Sequence, residues 1–201
     1  HQILDWLVRT SVAEFHLSSL RALGNRQQLV SQADTEHRFS SLRNLSDLLD
    51  DLRVVLWVAG CGHHCEGCQN PQTWDVDSGI PFDDNAKQEL FTELEKDYIS
   101  GITFSGGDPF HYENRNEVFK LIEEIKARFP NKTVWVYTGY EWEQMTFRAK
   151  YYFHQIDVVV DGKFVEELKD VNYPWAGSTN QRVIDVKKSM SKGKVILYER
   201  D

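Results

Sequence analysis

Cysteine is absent everywhere except positions 61 to 68, where all three cysteines of this 201-residue chain lie. An odd number packed into so short a window makes a poor disulfide framework and suits a reducing compartment, where thiols serve metals or redox chemistry. Long apolar runs are missing too, since none approaches the roughly 20 residues that span a bilayer. The amino end carries no basic stretch followed by an apolar core of the secretory kind, so the expected location is cytoplasmic. Positive charge is in deficit, with 23 Lys and Arg against 31 Asp and Glu for a net of −8. That balance argues against a nucleic-acid footprint and a membrane anchor, and leaves a protein or small-molecule partner. The chain opens on His1 rather than Met, as expected of a fragment or a processed chain. Its length is that of one domain, with room for an appendage and a substantial core.

The cysteines stand as Cys61-Gly62-His63-His64-Cys65-Glu66-Gly67-Cys68, directly after the strand-like run Val54 to Ala59. Thiolates at this spacing, with no other sulfur ligand of their kind in the chain, can wrap three corners of a cubane [4Fe–4S] cluster, which four cysteines ordinarily hold. The fourth iron then stays open to a substrate or cofactor, as the open position of a catalytic zinc does. His63 and His64 keep a second reading alive, a structural zinc-binding module of three cysteines and one histidine.

Residues 1 to 52 carry leucine-rich helical periodicity, through Leu4, Val8, Val12 and Phe15 and again through Leu42, Leu45, Leu49 and Leu52. Two helices broken near Gly24-Asn25 are expected, either packed on the main domain or serving as a docking or dimerisation arm. From Arg53 onward strand and helix patterns alternate. Val54 to Val58 reads as a buried strand. A helix through Ala86, Leu90, Leu94 and Tyr98 follows, capped near Asp83-Asp84. Ile102 to Phe104 is a second strand, and Val118, Ile122, Ile125 and Phe129 stripe a helix that Pro130-Asn131 ends. Thr133 to Tyr137 makes a third strand, residues 141 to 153 a helix, Ile156 to Val160 a fourth strand and Lys194 to Tyr198 a last one. Such alternation points to an α/β chain with a mainly parallel sheet. Ligands in these folds bind beyond the carboxyl ends of the strands. That is where Cys61 to Cys68, Gly106-Gly107-Asp108, Thr138-Gly139 and Asp161-Gly162 fall.

Gly60-Cys61, the His-rich insert, Gly67-Cys68, Asn70 and Trp74 are followed in order by Ser105-Gly106-Gly107-Asp108-Pro109, Trp135-Val136-Tyr137-Thr138-Gly139-Tyr140, Val160-Asp161-Gly162-Lys163-Phe164 and Ser178-Thr179-Asn180-Gln181-Arg182. A Cys-x3-Cys-x2-Cys array after the first strand resembles the radical S-adenosylmethionine (SAM) superfamily. The ordered set resembles its anaerobic ribonucleotide reductase-activating group. This resemblance implies a partial (β/α) barrel of the radical SAM type over residues 53–201, preceded by an atypical helical extension over 1–52. It also implies a [4Fe–4S] cluster on Cys61, Cys65 and Cys68, with SAM chelating the open iron.

Electron delivery and carbon–sulfur cleavage would give methionine and a 5′-deoxyadenosyl radical. That radical would take a hydrogen atom from a glycine of the large reductase subunit. The cofactors carry the hard step, and the protein positions them. Gly106, Gly107 and Asp108 are then implied at the amino end of SAM, with Gly67 and Gln69 at the adenine edge and Thr138 and Asp161 completing the SAM contacts. A low-potential donor of the flavodoxin or ferredoxin type is implied. Asp161, Lys163, Asn180, Gln181 and Arg182 would serve the SAM carboxylate or ribose or the partner's loop, or else be surface loop residues. Pyruvate formate-lyase or another glycyl-radical enzyme is the alternative target. Ala176 stands where related chains often have Arg, which removes one expected partner contact.

Overall fold

The computed structural model describes residues 52–145 and 151–199. The helices expected over 1–52 lie outside the described residues, Leu52 apart. Strands β1 (Arg53–Val58), β2 (Gly101–Gly106), β3 (Thr133–Tyr137), β4 (Val158–Asp161) and β5 (Arg182–Asp185) form one sheet in the order β1-β2-β3-β4-β5. The pairs β1–β2, β2–β3 and β3–β4 are parallel, and β5 joins antiparallel. Three helices complete the described fold: α1 (Asp84–Leu94), α2 (Arg115–Arg128) and α3 (Val186–Lys192). The architecture is mixed α/β with a five-stranded, mostly parallel sheet.

The period of two along each strand divides the sheet into unlike faces. Val54, Leu56, Val58, Ile102, Phe104, Val134, Val136, Val159 and Ile184 turn to the helices, where Leu90, Leu94, Val118, Ile122 and Ile125 meet them in the main core. Among the described residues the opposite face is covered only in part. Trp135, Val158, Val160 and Val183 pack there with Tyr137, Trp175, Ala176 and Tyr198 in a smaller cluster. A parallel sheet is normally covered on both faces; here Val55, Thr103 and Ser105 on the remainder line a cavity.

The expected elements sit close to where the pattern put them. Asp83 caps α1, its carboxylate accepting from the Ala86 N–H at 2.8 Å, and Ile99 rather than Tyr98 is buried beyond the helix end. Two expectations change. Lys194 to Tyr198 contributes only an isolated antiparallel bridge, Leu197 to Ile184, made by Tyr198 N–H on Val183 O at 2.8 Å and Asp185 N–H on Ile196 O at 2.9 Å. Of the helix expected over 141–153, residues 141–145 are loop and turn, while Tyr151 and Tyr152 are helical and run into a 3₁₀ turn, Phe153–Gln155. Residues 146–150 lie outside the described residues.

Strand β5 and helix α3 were not anticipated. Their marks were present, in Asp185 accepting from the Lys188 N–H at 2.8 Å and in Gly193 in the left-handed region at φ 65°, the usual start and stop of a helix.

Asp157 ties the amino edge of the sheet together. Its carboxylate takes the Val134 N–H and Lys126 Nζ, both at 2.8 Å, and Lys187 Nζ at 2.6 Å. Burial alone would raise its pKa. The two lysines and the N–H outweigh that and hold the carboxyl below its ordinary value. A depressed carboxyl contributes stability above its ordinary value, about pH 4, and loses it as the pH falls through the native value. Asp157→Asn is therefore expected to cost about 1–3 kcal/mol at pH 7. Denaturant titrations at pH 7 and below pH 4 check it, the gap between the two proteins closing in acid.

Candidate metal centre

The loops beyond the carboxyl edge of β1 and β2 are joined by their backbones. Gly60 N–H donates to Thr73 O at 2.8 Å and Cys61 N–H to Trp74 O at 3.0 Å, which closes the cysteine loop on itself. Gly107 N–H reaches Val58 O at 2.7 Å, and Asp108 N–H reaches Gly60 O at 2.8 Å. Buried Asn114 fixes the same root through its amide, which donates to Ala59 O at 2.7 Å and Asp108 O at 3.2 Å. So close an approach explains both glycines. Gly106 has φ 101°, and a Cβ on Gly107 would stand 2.5 Å from Gly60 O and 2.9 Å from Thr73 O. Their lack of side chains serves the contact between two loops as much as access to a ligand.

Cys61, Cys65 and Cys68 are all partly exposed free thiols. All three line a single cavity of about 940 Å³, which runs from the cysteine loop over the open sheet face to Trp135 and Trp175. Each sulfur meets backbone N–H groups. His63 and His64 offer theirs to Cys61, Phe164 to Cys65, and Asn70 to Cys68 at 3.4 Å. Burial pushes the Cys61 and Cys65 thiols up, and these N–H groups pull partly against it. Gly67 holds φ 67° in the bend between Cys65 and Cys68, and Gln69 lines the cavity beside them.

Asp108 is 1 % exposed and gathers three loops. Its own loop gives the Phe110 N–H at 2.7 Å, the loop after β3 gives Thr138 Oγ1 at 3.0 Å and the Gly139 N–H at 3.0 Å, and the cysteine loop gives His63 Nε2 at 2.6 Å. The His63 ring lies flat enough against Gly139 that a Cβ there would come 2.4 Å from it. His63 was not singled out beyond the zinc reading, and no spacing rule marks it. Its role appears only when residues 45 positions apart meet.

Four anticipated loops thus converge, but not every anticipated residue faces the cavity. Cys61, Cys65, Cys68, Gln69, Gly106, Gly107 and Thr138 line it. Asp161 is shut away at 1 % exposure, accepting from Arg182 Nε at 3.0 Å, Arg182 Nη2 at 2.5 Å and the Trp142 N–H at 2.7 Å. Arg182 also grips Glu143, and the two carboxylates hold its guanidinium firmly charged. Gln181 accepts from the Gly177 N–H at 2.9 Å and donates to Gly162 O at 3.0 Å, while Asn180 donates to Lys163 O at 2.8 Å. These residues brace the segment between β4 and β5. His64 is exposed and packs on Trp74, ring centres 4.7 Å apart.

The donor set tests which metal group fits. Three thiols on one cavity wall, each met by backbone N–H, suit the thiolate corners of a cubane. Hydrogen bonds to the sulfurs are among the means by which proteins tune such clusters. The site is that of a single-cluster iron–sulfur protein. Residues 50–184 match the family model described as a 4Fe-4S single cluster domain. Among curated proteins the chain is 44% identical over 131 residues to the anaerobic ribonucleoside-triphosphate reductase-activating protein of Enterobacteria phage T4, covering 65% of this chain and 82% of that one. It is 42% identical over 133 residues to the protein of the same name from Escherichia coli K12, covering 65% and 86%. The Haemophilus influenzae protein is 37% identical over 131 residues, covering 64% and 84%. This chain belongs to the family of anaerobic ribonucleoside-triphosphate reductase-activating proteins. No solved structure matches it.

Gly107→Ala should drive its new methyl into the Gly60 carbonyl, an overpacking expected to cost about 1–3 kcal/mol. Because that peptide roots the cysteine loop, iron retained after anaerobic reconstitution should fall although every thiol is intact. Thermal unfolding and iron content measure the two effects.

Proposed function

We propose that this protein is a glycyl-radical activase for anaerobic ribonucleoside-triphosphate reductase, working through a [4Fe–4S] cluster and SAM. The observation that carries this reading is the placement of Cys61, Cys65 and Cys68 on the wall of one large cavity at the carboxyl edge of a mostly parallel sheet. The three thiolates would hold three irons and leave the fourth for SAM. When bound, the pair supplies reductive cleavage of the sulfonium and a 5′-deoxyadenosyl radical for hydrogen abstraction from a glycine.

The chain's own residues position and enclose that chemistry. The N–H groups on the three sulfurs stabilise thiolate charge. The edge formed by Gly106 and Gly107 and the Thr138 wall would seat the amino-acid end of SAM, and the backbone from Gly67 to Gln69 its adenine. Asp161 would support this seat from behind, through Arg182 and the Trp142 N–H. About 940 Å³ lies near the upper limit of small-molecule sites, and its far half, walled by Trp135, Tyr137 and Trp175, has room for the glycine-bearing segment of the reductase large subunit.

We further read the one-sided sheet as the partial barrel of radical SAM enzymes, with residues 53–201 as the catalytic domain and 1–52 as its extension. No helix among the described residues is long and apolar enough to cross a membrane. A cytoplasmic setting and a flavodoxin- or ferredoxin-type donor complete the proposal.

Reduced protein mixed with SAM should release 5′-deoxyadenosine and raise a glycyl doublet in electron paramagnetic resonance on the reductase large subunit. A doublet on pyruvate formate-lyase alone would reassign the partner. Cys65→Ala should lose both signals together with its iron, since two thiolates do not retain the cluster. His64→Ala, whose ring is exposed against Trp74, should keep its iron content.

A further inference from the structure

Among the described residues three buried polar side-chain atoms have no hydrogen-bond partner: Trp74 Nε1, His111 Nδ1 and Gln155 Oε1. Of these residues only Trp74 lines the cavity, beside Cys61, Cys65, Cys68, Gln69 and Asn70. A buried donor left unpaired costs about 1–3 kcal/mol, and such groups are few in native proteins. An indole N–H can only donate, so whatever satisfies this one is an acceptor.

The indole is fastened to the cysteine loop. Trp74 closes the 3₁₀ turn Pro71–Thr73, its own N–H donating to Pro71 O at 3.2 Å, and its carbonyl takes the Cys61 N–H at 3.0 Å. Its ring packs on His64 with centres 4.7 Å and planes 37° apart. Backbone and ring therefore both hold the residue against the segment that carries the thiols. At this wall, donors to sulfur are already the rule, since backbone N–H groups meet each of the three cysteines, that of Asn70 reaching Cys68 Sγ at 3.4 Å. A cubane adds inorganic sulfides to those thiolates, and both kinds of sulfur accept hydrogen bonds.

We propose that the Trp74 indole N–H donates a hydrogen bond to a sulfur of the [4Fe–4S] cluster held by Cys61, Cys65 and Cys68. Reduction adds one electron, and with it one negative charge, to the cluster. An N–H dipole aimed at its sulfur stabilises the reduced form more than the oxidised one, so Trp74 makes the cluster easier to reduce. The inference rests on the cluster part of the proposed function alone, and needs neither SAM nor the reductase.

The test uses the full chain, grown with tryptophan carrying nitrogen-15 in the indole ring, reconstituted anaerobically and reduced with dithionite in the absence of SAM. Pulsed electron paramagnetic resonance should show a nitrogen-15 coupling to the reduced cluster in wild type. Trp74→Phe, which keeps an aromatic ring on His64 and removes Nε1, should lose that coupling at matching iron content. In a redox titration the same variant should be harder to reduce, its equilibrium shifted about 3- to 10-fold, tenfold being about 59 mV for one electron. No coupling in wild type, a coupling that survives in Trp74→Phe, or an unchanged potential overturns the inference. Should Trp74→Phe lose iron, replacement of Trp74 by benzothienylalanine, in which sulfur stands for the N–H, is measured in its place. Iron loss there too overturns it, because the indole then builds the loop rather than acting on a standing cluster. Wild-type protein that takes up no cluster fails before any variant is compared, and overturns the cluster reading itself.

Discussion

A carboxylate buried at the meeting point of three loops imposes most of what this site can be. Removing Asp108 from water is costly unless its oxygens are hydrogen-bonded, and the donors come from its own turn, from the loop after β3 and from the cysteine loop. None of the three can move without stranding the charge. The cysteines are thus set by a contact they do not make, through a histidine between two of them. Asn114 and the backbone bonds from Gly107 and Asp108 to β1 do the same from beneath. What looks like a flexible loop of small and polar residues is held at both its root and its crest.

The second constraint is the one-sided sheet. Among the described residues the helices pack on one face, and the other buries its apolar residues under the segment between β4 and β5, which covers the β3–β5 half. The remaining floor carries Val55, Thr103 and Ser105 and becomes the cavity. Arg53 stiffens the end away from the cysteines, donating to Thr103 Oγ1 at 3.0 Å and to Ile102 O and Thr133 Oγ1, both at 2.6 Å. Trp175 sits at φ 58°, uncommon for so bulky a residue. Its carbonyl takes the Tyr137 hydroxyl at 2.7 Å while its ring packs on Trp135 and Tyr198, so surrounding contacts hold the strain in place.

Much of this was legible in the residues. The strands β1 and β3, the stripe of α2 and the Asp83 cap follow from local periodicity and local hydrogen bonding. The order of Cys61, Gly106, Thr138 and Asp161, each after a strand, marked one edge of the sheet as the site. β5 was missed because four residues, Arg182 to Asp185, are too few to show a period, and because the polar tripeptide that leads into it reads as loop chemistry. The segment Asn180-Gln181-Arg182 shows why composition misleads there. Its side chains spend their hydrogen bonds on Lys163, Gly162 and Asp161 and hold a fold.

The sequence by itself determined the ligand chemistry, since three cysteines in eight positions leave little other use for soft donors in a chain with no other thiol, and it determined the α/β class through the alternating periods of two and 3.6. Only the tertiary structure decided which polar residues face the cavity. Asp108 and Asp161 carry the charge that spacing recommends, yet both are turned inward to partners 20 or more positions away, among them His63 and Arg182. Pairings of that kind depend on which loops the sheet order brings side by side, a property no local window of residues contains.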